Sequence, residues 1–125
     1  MLSKFKVYAT VPAADLNRAM RWYEEKLGFK AREKTPGGCV YEAGGGSVFT
    51  LYPTANAGKS PATLLGFEVP DIDAAMRDLR KRGVTFEDYD LPNLKTKNGI
   101  ATMGPTRASW FKDSEGNILS IVQPR

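Results

Sequence analysis

The chain contains no histidine, so the commonest ligand of transition metals is missing from all 125 residues. Its single cysteine, Cys39, cannot form an internal disulfide, which fits a reducing compartment and a cytoplasmic setting. No apolar run approaches the ~20 residues that a membrane helix needs, and no targeting segment is expected at the N-terminus. Low-complexity tracts and blocks of like charge are also absent, which argues against disorder. The net charge is +4, but Lys and Arg are spread among acidic residues, as on a solvated surface; no nucleic-acid or membrane partner is expected. The loop Leu91 to Gly99 departs from this, because Lys95 and Lys97 flank Thr96 with no acid beside them.

What is present is ordinary for a globular chain, with 42% apolar and 26% charged residues, enough for one compact domain over residues 1–125. Its distinctive feature is a repetition. DLNRAMR at Asp15 to Arg21 returns as DIDAAMR at Asp71 to Arg77. In the first copy Val11-Pro12 closes a strand-like segment and Asp15 caps a helix. Leu16, Ala19, Met20, Tyr23 and Leu27 share one face of that helix, and Gly28 stops it. In the second, Val69-Pro70 and Asp71 precede Ile72, Ala75, Met76 and Leu79 at the same spacing, up to Gly83. Arg77, Asp78, Arg80 and Lys81 are expected to face water.

Three strand-like runs follow each helix. The first set is Phe29 to Lys34, Cys39 to Ala43 and Ser47 to Tyr52, with Gly44-Gly45-Gly46 as a hairpin turn; the second is Val84 to Tyr89, Ala108 to Lys112 and Ile118 to Val122. The pattern predicts an α+β fold of tandem βαβββ modules at about 1–53 and 62–125. A linker at 54–61, rich in Ala, Gly, Ser and Thr, joins them.

The double βαβββ pattern, the D-[LI]-x-x-A-M-R helix starts, WYEEKLGF at Trp22 to Phe29 and WFKDSEGNILSIVQ at Trp110 to Gln123 resemble the vicinal oxygen chelate superfamily. This group includes glyoxalase I, bleomycin and fosfomycin resistance proteins and extradiol dioxygenases. FEDYDLPNLKTKNGIATMG is similar to a bacterial subgroup known only as glyoxalase-like. The resemblance implies two modules whose strands curl into a mixed-sheet cup with the helices outside. It also implies a homodimer, and in many members a divalent metal held by His, Glu or Gln.

The resemblance places the four metal-ligand positions at Tyr8, Thr50, Leu64 and Ser120, none of which is a customary ligand. The flanking residues Val7, Ala9, Phe49, Leu51, Thr63, Leu65, Leu119 and Ile121 supply none either. Glu42, Glu68, Asp113 and Glu115 lie near strand ends or turns. The expectation is therefore no metal and no cofactor, and no inherited metal-dependent glyoxalase or dioxygenase activity. Without a metal, a cup lined by Tyr8, Thr50, Tyr52, Leu64 and Ser120, with Met103 and Trp110 as further candidates, suits an uncharged or weakly polar organic ligand. Side-chain alternation adds Val48 to the face of Thr50, and Ile118 and Val122 to that of Ser120.

The function expected is metal-free binding or sequestration of a small organic molecule. The alternatives are a lyase- or isomerase-type enzyme of the same superfamily, and an interaction module whose cup is closed by side chains. Candidates for acid, base or nucleophile are restricted to Tyr8, Tyr41, Tyr52 and Cys39, with Glu42 and Glu68 more distant, so no catalytic residue is assigned. Gly58-Lys59-Ser60 lacks the glycine and the helix of a phosphate loop and reads as linker. Asp113 to Asn117 is too short for an EF-hand and reads as a tight turn.

Overall fold

The structure, a computed structural model, describes residues 1–125. Strand β1 (Ala9–Ala13) leads into helix α1 (Leu16–Leu27), followed by β2 (Glu33–Thr35), β3 (Gly38–Glu42) and β4 (Val48–Pro53). The second half repeats the plan with β5 (Thr63–Glu68) and helix α2 (Ile72–Lys81). A two-strand hairpin of β6 (Asp90–Leu91) and β7 (Leu94–Lys95) then precedes β8 (Ala101–Met103), β9 (Thr106–Lys112) and β10 (Ile118–Gln123). The sheets have matching orders, β1-β4-β3-β2 and β5-β10-β9-β8. In each, the strand before the helix pairs parallel with the last strand, and the other ladders are antiparallel. This is the expected α+β architecture of curled mixed sheets.

Both helices start as the repeated motif requires. The Asp15 carboxylate accepts the Arg18 N–H at 3.0 Å and the Asp71 carboxylate accepts that of Ala74 at 3.0 Å, each satisfying one orphan donor of a first turn. Gly28 closes α1 in the left-handed region, at φ 78°, where its N–H reaches the Glu24 carbonyl. The buried stripes are Ala19 and Tyr23 on α1 and Ile72 and Met76 on α2.

Alternation separates the two faces of the first sheet. Val11, Ala13, Cys39, Tyr41, Phe49 and Leu51 point inward and are buried, while Thr10, Val40, Thr50 and Tyr52 point outward. In the second half Phe111, Leu119 and Ile121 join the same core, where Phe67 packs on Phe29 and Phe49 with ring centroids at 5.8 and 6.5 Å. Each buried large apolar side chain contributes about 1.5–3 kcal/mol.

Polar contacts also join the halves. The Asp113–Asn117 segment is the expected turn, with the Asp113 Oδ1 accepting the Glu115 and Asn117 N–H groups. It is also a clamp: Tyr23 donates to Asp113 at 2.7 Å, Arg18 pairs with Glu115, and Asn117 donates to the Pro12 carbonyl. Asp113 and Glu115 are thus buried and partnered, not solvated.

One expectation in the second half is corrected. Val84 to Tyr89 forms no ladder strand; it docks Val84 and Phe86 into the core and its backbone pairs with β9 in a single bridge, Phe86 to Phe111. The outer strand beside β9 is instead β8, paired from Ala101–Ala108 to Met103–Thr106.

Candidate ligand-binding site

The outward face of the first sheet is concave. Register places Thr10 and Val40 on either side of Thr50, and Glu42 opposite Val48, so alternate residues of three strands form one surface. The segment before β1 supplies Lys6, Val7 and Tyr8 as one wall, and Arg32, Gly37 and Gly46 lie at the edges. The result is an open groove of about 850 Å³, within the range of small-molecule sites.

Its lining combines two phenol rings, Tyr8 and Tyr52, with Val7, Val40 and Val48 and the hydroxyls of Thr10 and Thr50. Arg32 and Glu42 pair at 3.2 Å with both side chains about half exposed, a contact worth at most about 1 kcal/mol. This pair neutralises the rim and leaves Lys6 as the remaining charge.

Of the residues expected from the sequence, the structure gathers Tyr8, Thr50 and Tyr52 in this groove. Leu64, Met103, Trp110 and Ser120 belong to the second sheet and do not line it. Ser120 pairs with Trp110 and Gly66 and is buried at 5% exposure; a Cβ added at Gly66 would stand 2.8 Å from its hydroxyl. Trp110 is held by its Nε1–H donating to Thr63 Oγ1 at 3.1 Å and by an edge contact with Tyr89. Leu64 and Met103 are exposed. The side chains missed were Thr10, Val40, Arg32 and Lys6. Alternation carried across the ladder from Thr50 would have found the first two, but the loop position of Arg32 had no signal.

The donor set does not fit a family-type metal. The four ligand positions are phenol, hydroxyl, alkyl and buried hydroxyl groups, with Tyr8 before β1, Thr50 in the first sheet and Leu64 and Ser120 in the second, and nowhere do three His, Cys, Asp or Glu side chains gather. The acid–base candidates separate as well. Cys39 and Tyr41 face the core, where burial pushes the Cys39 thiol up and the Tyr41 phenol up to about 12. Among the named candidates only Tyr8, Tyr52 and Glu42 reach the groove, and Glu42 is tied to Arg32.

Residues 7–121 match the family described as Glyoxalase/Bleomycin resistance protein/Dioxygenase superfamily. No curated protein sequence matches the chain. Among solved structures, UcmS2 is similar at 18% identity and a TM-score of 0.73, covering 94% of this chain and 98% of its own. TnmS3, an antibiotic binding protein from Streptomyces sp. CB03234, is similar at 21% identity and 0.66, covering 97% and 98%. A glyoxalase/bleomycin resistance protein/dioxygenase from Alicyclobacillus acidocaldarius is similar at 18% identity and 0.71, covering 96% and 91%.

Proposed function

This chain belongs to the glyoxalase/bleomycin resistance protein/dioxygenase superfamily, and on that premise we propose that it binds or sequesters a small organic molecule without a metal. The observation that carries this reading is the convergence of Tyr8 and Tyr52 with Val40 and Val48 around the hydroxyls of Thr10 and Thr50. Phenol faces and valines hold an apolar or aromatic body through burial, and the hydroxyls orient a few polar atoms. The rim carries no excess acid, which argues against a cationic ligand, and its apolar and hydroxyl lining fits an uncharged or weakly polar one. The similarity to an antibiotic binding protein supports a binding role.

The groove is open, with Tyr8 exposed at 62% and Val7 at 91%, and the N-terminal segment that leads to them also exposes Leu2 and Phe5. We propose that a second copy covers this apolar edge, so that the binding unit is a homodimer, and that it works in the cytoplasm. Sedimentation should then give twice the 13.8 kDa of one chain. A monomer at micromolar concentration that still binds ligand would remove the dimer from the reading.

The test of function is a thermal-shift screen of untagged protein against divalent metals and a chemically broad set of metabolites and antibiotics. A ligand at a hundred times its dissociation constant stabilises the folded state by about 2.7 kcal/mol. The expected result is a shift with one class of organic compound and none with Ni, Zn, Mn or Fe. Stabilisation by a metal overturns the metal-free reading, and turnover of the bound compound converts the reading to an enzyme.

A further inference from the structure

A second concavity, of about 430 Å³, lies between α2 and the β8–β9 edge. One wall is the stripe Asp73, Met76, Arg77 and Arg80 on α2, at i, i+3, i+4 and i+7. The other is made by Lys97, Asn98 and Ile100 before β8, Thr102 on it, and Arg107 on β9. Four cations therefore meet one carboxylate in this hollow.

That carboxylate is already engaged. Asp73 accepts two hydrogen bonds from the Arg107 fork, at 3.0 and 3.2 Å. Arg80 is held in place by lying over the Phe86 ring, 5.2 Å from its centroid, and by donating to the Asn98 carbonyl at 3.4 Å. The loop that presents Asn98 and Lys97 is pinned in turn: Asp88 accepts the Gly99 N–H at 2.8 Å and the Thr96 hydroxyl at 2.7 Å. Arg77 and Lys97 take part in none of the chain's salt bridges.

Three cations that form no salt bridge, Arg77, Arg80 and Lys97, thus face one hollow with buried Met76 as its apolar floor; Asp73 beside Arg77 and Asp88 beside Arg80 are already engaged by Arg107 and by Thr96 and Gly99. Like charges held this way repel, and a bound anion converts the repulsion into attraction. Guanidinium forks match the paired oxygens of phosphates and carboxylates, and the Lys97 ammonium adds a compact point charge. We propose that this groove is an anion site, separate from the first-sheet groove, for a small multiply charged oxyanion: a molecule bearing a phosphate or paired carboxylates.

The test titrates the full chain at low ionic strength with pyrophosphate, inorganic phosphate and succinate, followed by calorimetry and amide chemical shifts. Arg77→Gln and Lys97→Gln each remove one unpaired cation from an exposed position, and glutamine is a good helix former at position 77, so both variants fold. Lys30→Gln, outside the groove, is the control. The expected result is saturable binding at one site, with shifts confined to α2, Lys97 to Thr102 and Arg107. Binding should be about tenfold weaker in either groove variant and unchanged in the control. Whether pyrophosphate or succinate binds tighter identifies the source of the oxyanion. Non-saturating binding, equal weakening by the control, or tighter binding of a single-stranded oligonucleotide that grows with its length would overturn the proposal in favour of a diffuse basic surface.

Discussion

Asp113 and Glu115 are carboxylates buried to 6% and 8% exposure, and each is stabilised by its own donors. Glu115 accepts from Arg18 at 2.9 and 3.0 Å, from the Asp15 N–H at 2.8 Å and from Ser114. These bonds, Arg18 first, hold its pKa down from the ordinary 4.5 to about 2 against the opposing effect of burial. A depressed folded-state pKa adds stability that is present above about 4.5 and is lost as pH falls towards 2. Glu115→Gln should therefore flatten the acid limb of stability in that window. It should also cost about 1–3 kcal/mol at neutral pH, read by denaturant titration across pH. Tyr23→Phe removes the 2.7 Å bond to Asp113 from a site where burial, then Asp113, raise the phenol far above its usual range. It should cost about 1–2 kcal/mol, read from the denaturant midpoint at neutral pH, while the fold is kept because Asp113 retains its backbone and Asn117 donors. The turn itself was legible in the string from Asp113 to Asn117. Its partners were not, because Arg18 stands 97 positions away and nothing local marks the pairing.

The elements followed their local signals wherever a cap and a period agreed. Asp15 and Asp71 each cap a helix through one 3.0 Å bond, so Asp15→Ala and Asp71→Ala should each cost about 0.5–2 kcal/mol. Denaturant midpoints of the single and double variants should show near-additive losses, since the caps share no bond. Gly38 is required for another reason: at φ 145° it stands where a Cβ would run into the Leu51 carbonyl of the neighbouring strand. Gly38→Ala should loosen the β3–β4 ladder, seen as faster amide exchange at Cys39 and Leu51. Local pattern misled at Val84 to Tyr89, where alternation reported the burial of Val84 and Phe86 rather than pairing. Asp88 ends any ladder there by taking the Thr96 hydroxyl and the Gly99 N–H. The short β8, between Gly99 and Gly104, was too brief to announce itself.

Across the whole molecule, two concave surfaces of different chemistry result from a chain whose charges look evenly mixed. Thr50→Trp would fill the first-sheet groove from a half-buried outward position. It should abolish binding of any organic ligand found there while changing stability by no more than about 1 kcal/mol and leaving pyrophosphate binding intact. Loss of both activities would mean that the grooves are not independent. Dispersed cations appeared to be a solvated face because Arg77, Arg80, Lys97 and Arg107 lie on three elements of the fold. The Leu91 to Gly99 loop likewise gained the acids its sequence lacked: Asp90 stands 3.9 Å from Lys95, and Asp88 binds Thr96.

By itself the sequence determined the duplicated βαβββ plan, the two helix starts, the inward and outward faces of the first sheet, and the absence of histidine. Those properties depend on residue identity and on periods of 2 and 3.6, which act over a few neighbouring residues. Only the tertiary structure decided that Tyr8, Thr50 and Tyr52 share a groove while Ser120 and Trp110 belong to another sheet, and that three cations without a salt bridge face one hollow. Such groupings depend on how two separately curled sheets and their helices pack, and contacts between residues far apart in the chain leave no periodic trace in it.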